Sequence, residues 1–171
     1  KLNWMNNHYI KESSNDRLTD LAIPYLIEAG YINRSEATEK YQLLQEMVSI
    51  VKDSIDYMKQ IVEKVDIFFK TDIKPEDDEA AEVLKQEHVG RLLQVLLEKL
   101  KTEETIEQDT IKKIFKQIQK EEGIKGPNLF KPIRVAVTGK VHGPDLPSVM
   151  KVLGRQNLLN RIEYVLSNFI Q

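Results

Sequence analysis

The sequence contains no cysteine, so disulfide bonds and thiolate metal sites are excluded. It has only three histidines, far apart along the 171 residues, and we therefore expect no metal site. No stretch approaches the roughly 18 consecutive apolar residues that a membrane-spanning helix needs. The N-terminal residues KLNWMNNHYI also lack the apolar centre of a signal peptide. These absences favour a cytoplasmic protein that makes no contact with a membrane.

Charge is distributed unevenly along the chain, although the formal net charge is only −2. Residues 1–122 contain 18 Lys and Arg against 25 Asp and Glu, whereas residues 123–171 contain seven Lys and Arg against two acidic residues. A concentration of cations favours a polyanionic partner. A solvated surface would carry the same charges and stays an alternative. The sequence does not begin with Met, and we expect a fragment of a longer chain.

Apolar residues recur at helical spacing along most of the chain and predict an all-α fold of about seven to nine helices. One long helix is expected from a cap at Ser35 to residue 53, and another over residues 54–69. Nearer the C-terminus, Asp145 or Leu146 is expected to begin a helix with a proline in its first turn, and Gly154 to interrupt that helix.

The helices are expected to form a bundle in two subdomains, residues 1–74 and residues 75–171. The boundary is placed between Thr71 and Asp78, where a proline precedes a group of acidic residues that favour a helix start. Further on, the segment IRVAV has high β-propensity. No second strand is available to pair with it, so we predict a helix there as well.

No set of residues in the sequence provides catalytic chemistry. The tripeptide TGK at Thr138–Lys140 lacks the upstream glycine of a phosphate-binding loop, because Arg134 holds that position. No Ser, His and Asp set and no pair of carboxylates stands out as a nucleophile or an acid–base system. A free-standing enzyme is therefore disfavoured, whereas a nucleic-acid-binding domain and a helical protein–protein interaction module both stay open.

The most informative stretch is KPIRVAVTGKVHGPDLPSVMKVLGR, residues 131–155, which is followed by NLLNRIEYVL. It resembles the C-terminal signature of bacterial-type glutamyl-tRNA synthetases. That signature reads Pro-[Leu/Ile]-Arg-x-Ala-[Leu/Val]-Thr-Gly, a short insert, Pro-x-Leu, then Leu-Gly-[Lys/Arg] and a basic helix. The N-terminal KLNWMNNHYIK is similar to the segment in which that family's catalytic body passes into its RNA-binding half.

The resemblance implies the anticodon-binding region of a class I aminoacyl-tRNA synthetase, with its first subdomain near the tRNA stem and its last on the anticodon loop. It implies that the catalytic domain, which holds ATP and Mg and attaches glutamate to tRNA, lies upstream. This segment is then expected to contain no catalytic residue and no cofactor. The implied partner is tRNA(Glu), with tRNA(Gln) a further possibility, and the implied oligomeric state is a monomer.

The resemblance also implies the residues that bind RNA. The family's anticodon-reading arginine falls on Arg134, and the loop that contacts unstacked bases falls on Lys140, Val141, His142, Gly143, Pro144 and Leu146. An arginine that reads a further anticodon base in some members falls on Ser54, with Lys52 two residues earlier. This departure from the family pattern puts the base selectivity in doubt.

The same residues suit RNA on chemical grounds. Arg134 offers a planar set of donors for a base edge or a phosphate. Val141, Pro144 and Leu146 offer apolar faces for bases, in a loop whose path is set by proline and glycine. Four further cations add an attraction to phosphates that salt should weaken, namely Lys131, Lys140, Lys151 and Arg155.

Each assignment has a plain structural alternative. Arg134 could pair with an acidic helix, and His142 could be an ordinary exposed loop residue. Leu146 could belong to the core, and the cations of the last helices could face solvent. Trp4 and Tyr9 are read as packing anchors and not as residues that stack on RNA.

Overall fold

A computed structural model describes the backbone of residues 2–170 and the side chains of residues 7–170. Every regular element in this range is a helix, which confirms the predicted all-α fold, and eleven of these elements are α-helices where seven to nine helices were expected. The chain divides into two compact units, one ending at Phe69 and one beginning at Lys70. The sequence put the boundary slightly later, after residue 74, and the roles expected of the two subdomains stay predictions. No helix between residues 2 and 170 has the length and apolar character needed to cross a bilayer.

The first unit consists of short helices connected by tight turns. These are α1 (Leu2–Glu12), α2 (Asn15–Glu28), α3 (Arg34–Glu39), α4 (Tyr41–Val51), α5 (Ile61–Lys64) and α6 (Asp66–Phe69), with single 3₁₀ turns at Lys52–Ser54 and Met58–Gln60. Helices α2 and α4 pack against each other and bury Leu18, Leu26 and Leu44. Each leucine buried in this way stabilises the fold by about 1.5–3 kcal/mol.

Three predictions for this unit are wrong. The single helix expected from residue 35 to residue 53 is divided at Lys40 into α3 and α4, and a 3₁₀ turn follows α4. The helix cap is Asn33 and not Ser35, because Glu36 stands three residues after Asn33 and completes a reciprocal capping box. The Asn33 side chain accepts from the Glu36 amide at 2.8 Å, and the Glu36 carboxylate accepts from the Asn33 amide at 3.1 Å. The single helix expected over residues 54–69 is replaced by a 3₁₀ turn and the short helices α5 and α6.

Tyr9 does not behave as a packing anchor. Its side chain is 45% exposed, and the guanidinium carbon of Arg17 lies 5.6 Å from the centre of its ring. The corresponding prediction for Trp4 concerns a side chain outside the described range. The N-terminal helix is instead connected to its own unit by Asn7, whose amide donates to the Ile55 carbonyl at 2.9 Å.

The second unit is a bundle of longer helices. They are α7 (Asp78–Leu84), α8 (Val89–Lys101), α9 (Gln108–Glu122), α10 (Pro127–Thr138) and α11 (Leu146–Asn168). Helix α11 packs against α8, α9 and α10, and α10 packs also against α7. The core between them is aliphatic, and its fully buried members include Leu92, Leu96, Ile111, Ile133 and Leu158.

Helices α10 and α11 position the candidate site. The segment IRVAV is helical as predicted. Its apolar residues are all buried, namely Ile133, Val135, Ala136 and Val137, so its β-branched side chains pack in the protein core from within a helix. Helix α11 begins after Asp145, as predicted. Gly154 interrupts it with φ 80° and ψ 164°, so that α11 consists of two helical halves meeting at this glycine.

Candidate nucleic-acid interface

The α10–α11 loop, residues 139–145, is fixed at both ends to helix termini. Gly139 ends α10 in the left-handed conformation, at φ 81°, and its amide donates to the Val135 carbonyl at 2.8 Å. Asp145 caps α11, because its carboxylate accepts from the Ser148 amide at 3.1 Å and from the Ser148 hydroxyl at 2.7 Å. The loop therefore spans two rigid helix ends with few free residues between them.

Arg134 holds the middle of this loop from within α10. Its Nη1 donates to the Pro144 carbonyl at 2.7 Å, and a Cβ on Gly143 would come within 3.0 Å of the same nitrogen. Burial lowers the pKa of Arg134, although the Asp145 carboxylate opposes the shift, and the side chain stays a cation. Within the described residues no other acceptor binds the guanidinium, so donors on Nε and Nη2 are left for a ligand.

The loop presents polar groups outward and aliphatic side chains inward. His142 and Gly143 are exposed and Pro144 is half-buried, whereas Val141 is 6% exposed and Leu146 is 4% exposed. The sequence assigned the apolar faces of Val141 and Leu146 to bases. Protein covers those faces in this structure, so their role here is to anchor the loop, and Pro144 provides the accessible apolar surface.

Lys140 and Thr138 fix the first turn of the loop. The Thr138 hydroxyl donates to the Arg134 carbonyl at 2.8 Å and accepts from the Lys140 amide at 3.1 Å. The Lys140 Nζ lies 3.9 Å from a carboxylate oxygen of Glu76, at a partly exposed site. At this distance and partial exposure the ion pair with Glu76 is weak.

Comparison with known proteins places this loop in a family context. The anticodon binding domain family matches residues 17–166, which is most of the chain. The chain belongs to the anticodon binding domain family.

Curated relatives give the same picture. The chain is 57% identical over 170 residues to glutamate–tRNA ligase of Alkaliphilus metalliredigens, and 47% identical over 170 residues to glutamate–tRNA ligase of Clostridioides difficile. Both alignments cover 99% of this chain and 34% of the relative, so the chain spans about a third of the length of these relatives. The resemblance to glutamyl-tRNA synthetases drawn from the C-terminal motif is thereby confirmed.

A solved structure supports the fold independently of close sequence similarity. The glutamate tRNA ligase of Elizabethkingia meningosepticum matches 98% of this chain with a TM-score of 0.85 at 19% identity. The match covers 32% of that longer chain. At this low identity the comparison shows that the helical arrangement is shared.

Of the supporting cations in this anticodon binding domain, Arg155 is already engaged. Its Nε donates to the Glu103 carbonyl at 2.8 Å and its Nη2 donates to the Lys101 carbonyl at 3.0 Å, at the C-terminal end of α8. The structure thus gives Arg155 a helix-capping role beside the predicted contact with phosphate. Lys131 and Lys151 are half-buried on α10 and α11.

Lys52 and Ser54 belong to the first unit, whereas Arg134 and residues 140–146 belong to the second. The Lys52 Nζ donates to the Asn15 side chain at 3.2 Å, and the Ser54 hydroxyl donates to the Val51 carbonyl at 2.7 Å. The structure therefore brings together the predicted residues of the loop, and it describes Lys52 and Ser54 as parts of a separate 3₁₀ turn.

The sequence grouped Arg161 with the cations of the last helices that could face solvent, but its side chain is only 4% exposed. Its Nη1 donates to the Val137 carbonyl at 2.6 Å and its Nη2 donates to the Lys70 carbonyl at 2.7 Å. Burial lowers the pKa of Arg161 to about 10, so it is still charged at neutral pH. The signal was present in the sequence, because Arg161 falls at i+3 from Leu158 and i−4 from Val165, on the apolar face of its helix.

Proposed function

We propose that this chain is the anticodon-binding portion of a glutamate–tRNA ligase, the enzyme that attaches glutamate to tRNA with ATP. The observation that carries the proposal is 57% identity to such a ligase over essentially the whole chain. The ATP, Mg and glutamate sites belong to the remaining part of the enzyme, and this segment contributes no catalytic group. The partner is tRNA(Glu), with tRNA(Gln) as a further candidate, and the segment acts as a cytoplasmic monomer.

In this proposal the α10–α11 loop receives the unpaired anticodon bases. Arg134 directs its remaining donors to a base edge or a phosphate while one donor holds the Pro144 carbonyl. The exposed backbone around His142 and Gly143 offers amide and carbonyl groups to base edges, and the ring of Pro144 offers an apolar surface. Lys140 adds attraction to the phosphate backbone.

The proposed role of the loop also explains what this segment, which contains no catalytic group, contributes to aminoacylation. Contacts that hold the anticodon fix the position of the whole tRNA, so the acceptor end reaches the catalytic domain in an ordered arrangement. The two-ended attachment of the loop supports this role, because a loop that is already ordered loses less entropy when RNA binds.

The test is binding of the chain to an anticodon stem-loop RNA that carries the glutamate anticodon, measured by fluorescence anisotropy at several salt concentrations. We expect Arg134→Ala to weaken binding by about tenfold or more, or about 1.4 kcal/mol. The matched control is Lys101→Ala, which removes one exposed cation far along the chain and should change the affinity by less than about twofold.

Two further arms sharpen this experiment. Arg134→Lys keeps the charge but loses the planar set of donors. Compared with Arg134→Ala, it should recover the salt-dependent part of the affinity, but it should not recover the preference for the anticodon sequence. Footprinting with glutamine-anticodon RNA as a second ligand addresses selectivity at Ser54. Equal and negligible effects of Arg134→Ala and Lys101→Ala would contradict the proposal, and a stable protein partner without RNA binding would favour an interaction module.

A further inference from the structure

The second unit begins with a lead-in segment, residues 70–76, that lies against the start of the α10–α11 loop. Ile73 is 1% exposed, so the segment is anchored in the core of its unit. The Glu76 amide donates to the Gly139 carbonyl at 2.8 Å. The first residue of the loop is therefore hydrogen-bonded to a stretch of chain more than sixty positions earlier, and this contact lies outside both helices that flank the loop.

Gly139 is fitted closely to this segment. A Cβ at residue 139 would lie 2.5 Å from the Lys74 carbonyl oxygen and 3.5 Å from the Ile73 Cγ2. The first of these distances is too short for any real side chain, and the atom it meets belongs to a backbone. Any residue other than glycine must therefore push the lead-in segment and the loop apart, in addition to the strain of a positive φ.

Arg161 makes a second connection between the same two elements. The Val137 carbonyl lies in the last turn of α10, where carbonyls have no partner within the helix, and Arg161 supplies a donor to it. The same guanidinium donates to the Lys70 carbonyl at the beginning of the lead-in segment. One buried cation thus joins the end of the loop-bearing helix to the start of the segment on which the loop lies.

We propose that the lead-in segment sets the conformation of the α10–α11 loop, and that Gly139 and Arg161 are positioning residues for anticodon recognition that do not themselves contact RNA. This inference rests on the function proposed above. If the lead-in segment separates from Gly139, the loop loses this backbone contact at its first residue and populates other conformations, although Arg134, Thr138 and Asp145 still hold it elsewhere. The apparent affinity for RNA then falls in proportion to the fraction of molecules that retain the competent loop.

The chain offers a matched pair of variants for the test. Gly139→Ala and Gly123→Ala both place a methyl group at a left-handed helix end, at φ 81° and φ 68°. A Cβ at Gly123 meets no atom within 4 Å, so only the variant at Gly139 adds a collision with the lead-in segment. The strain common to both substitutions therefore cancels in the comparison, and the contact with Lys74 is what differs.

Both variants are measured by binding to the glutamate anticodon stem-loop and to a stem-loop of scrambled loop sequence, at a temperature where circular dichroism shows each variant folded. We expect Gly139→Ala to bind the glutamate stem-loop about tenfold more weakly and to lose most of its preference over the scrambled loop. Gly123→Ala should stay within about twofold of the parent chain for both RNAs. Partial unfolding would lower binding of the two RNAs equally, so the preference separates positioning from stability.

A second measurement needs no RNA. Hydrogen exchange at the amide of Glu76 should become faster in Gly139→Ala and stay unchanged in Gly123→Ala, because only the first variant opens the hydrogen bond to Gly139 that protects it. Arg161→Lys, which cannot reach both carbonyls at once, should give the same direction of change in exchange and in RNA preference.

The outcomes distinguish this inference from the proposed function. If the parent chain binds the glutamate stem-loop and the two glycine variants lose affinity and preference to the same extent, the positioning role is wrong and the proposed function stands. If the parent chain binds neither RNA, the proposed function is wrong and the positioning role falls with it.

Discussion

Two arginines of the second unit differ mainly in burial, and this difference predicts unequal effects on stability. Arg161 and Arg155 each donate to two backbone carbonyls. Arg161 is 4% exposed and its acceptor residue Val137 is fully buried, whereas Arg155 is half-buried. Each arginine also donates to the carbonyl of an exposed lysine, Lys70 for Arg161 and Lys101 for Arg155. Water can replace the lost donors beside Arg155, but it has little access to the carbonyl of Val137.

The magnitudes follow from the cost of leaving buried carbonyls without donors. An unsatisfied buried carbonyl costs about 1–3 kcal/mol, and the Val137 carbonyl is the buried one of the two acceptors. The lost bond to the Lys70 carbonyl adds about 1 kcal/mol, and removal of the buried charge offsets part of the total. We therefore expect Arg161→Met to lower the free energy of unfolding by about 2 kcal/mol. For Arg155→Met, where solvent takes over the carbonyls, we expect about 1 kcal/mol.

The assay is urea unfolding followed by far-ultraviolet circular dichroism, with the dependence on urea compared between variants to confirm that the same surface is exposed. Methionine is chosen in both variants because its length and flexibility fill the space of the arginine stem. Equal losses for the two variants, or a larger loss for Arg155→Met, would refute the reasoning that burial decides the cost.

Two further predictions concern the first unit. Asn33→Ala should lower the free energy of unfolding by about 1 kcal/mol, whereas Ser35→Ala should change it by less than about 0.5 kcal/mol in the same urea assay, because only Asn33 caps α3. A larger loss of stability for Ser35→Ala than for Asn33→Ala would indicate that Ser35 is the cap, as the sequence suggested. The hydrogen bond from the Tyr41 hydroxyl to Asp20 raises the pKa of Tyr41 to about 12, so this bond is intact below the ordinary tyrosine pKa of about 10 and is lost as the pH rises through 12. An absorbance titration of tyrosinate should show a late component that Tyr41→Phe removes.

Helical periodicity in the sequence was sufficient for the fold class, because long amphipathic helices such as α8 and α9 show their buried face in the spacing of their apolar residues. The stretch between Lys52 and Phe69 was not predictable in this way. Its apolar residues have helical spacing, yet side chains there compete for backbone groups, as when the side-chain Oε1 of Gln60 accepts from the backbone amide of Asp56 at 2.6 Å. Short 3₁₀ turns result where one helix was expected.

The location of the candidate site followed from its motif, whereas its inner organisation did not. The sequence shows that Val141, Pro144 and Leu146 are apolar, but it does not show which of them the helices cover. That depends on the direction in which the loop leaves α10, which Gly139 and Arg134 determine through contacts with distant backbone atoms. Arg161 illustrates the same limit, because a cation in a sequence is read as a surface residue until packing places it inside.

Gly154 has a consequence for how this domain tolerates change. Its φ of 80° and ψ of 164° belong to a region of backbone conformation that only glycine enters readily, although a Cβ at this position would meet no atom within 4 Å. A side chain at residue 154 is thus disfavoured by its backbone torsion angles and not by contacts, so smaller neighbouring residues would not make a substitution easier. The half of α11 before Gly154 starts at the α10–α11 loop, and the half after it carries Arg161. The backbone conformation of Gly154 therefore sets the angle between these two halves of the helix.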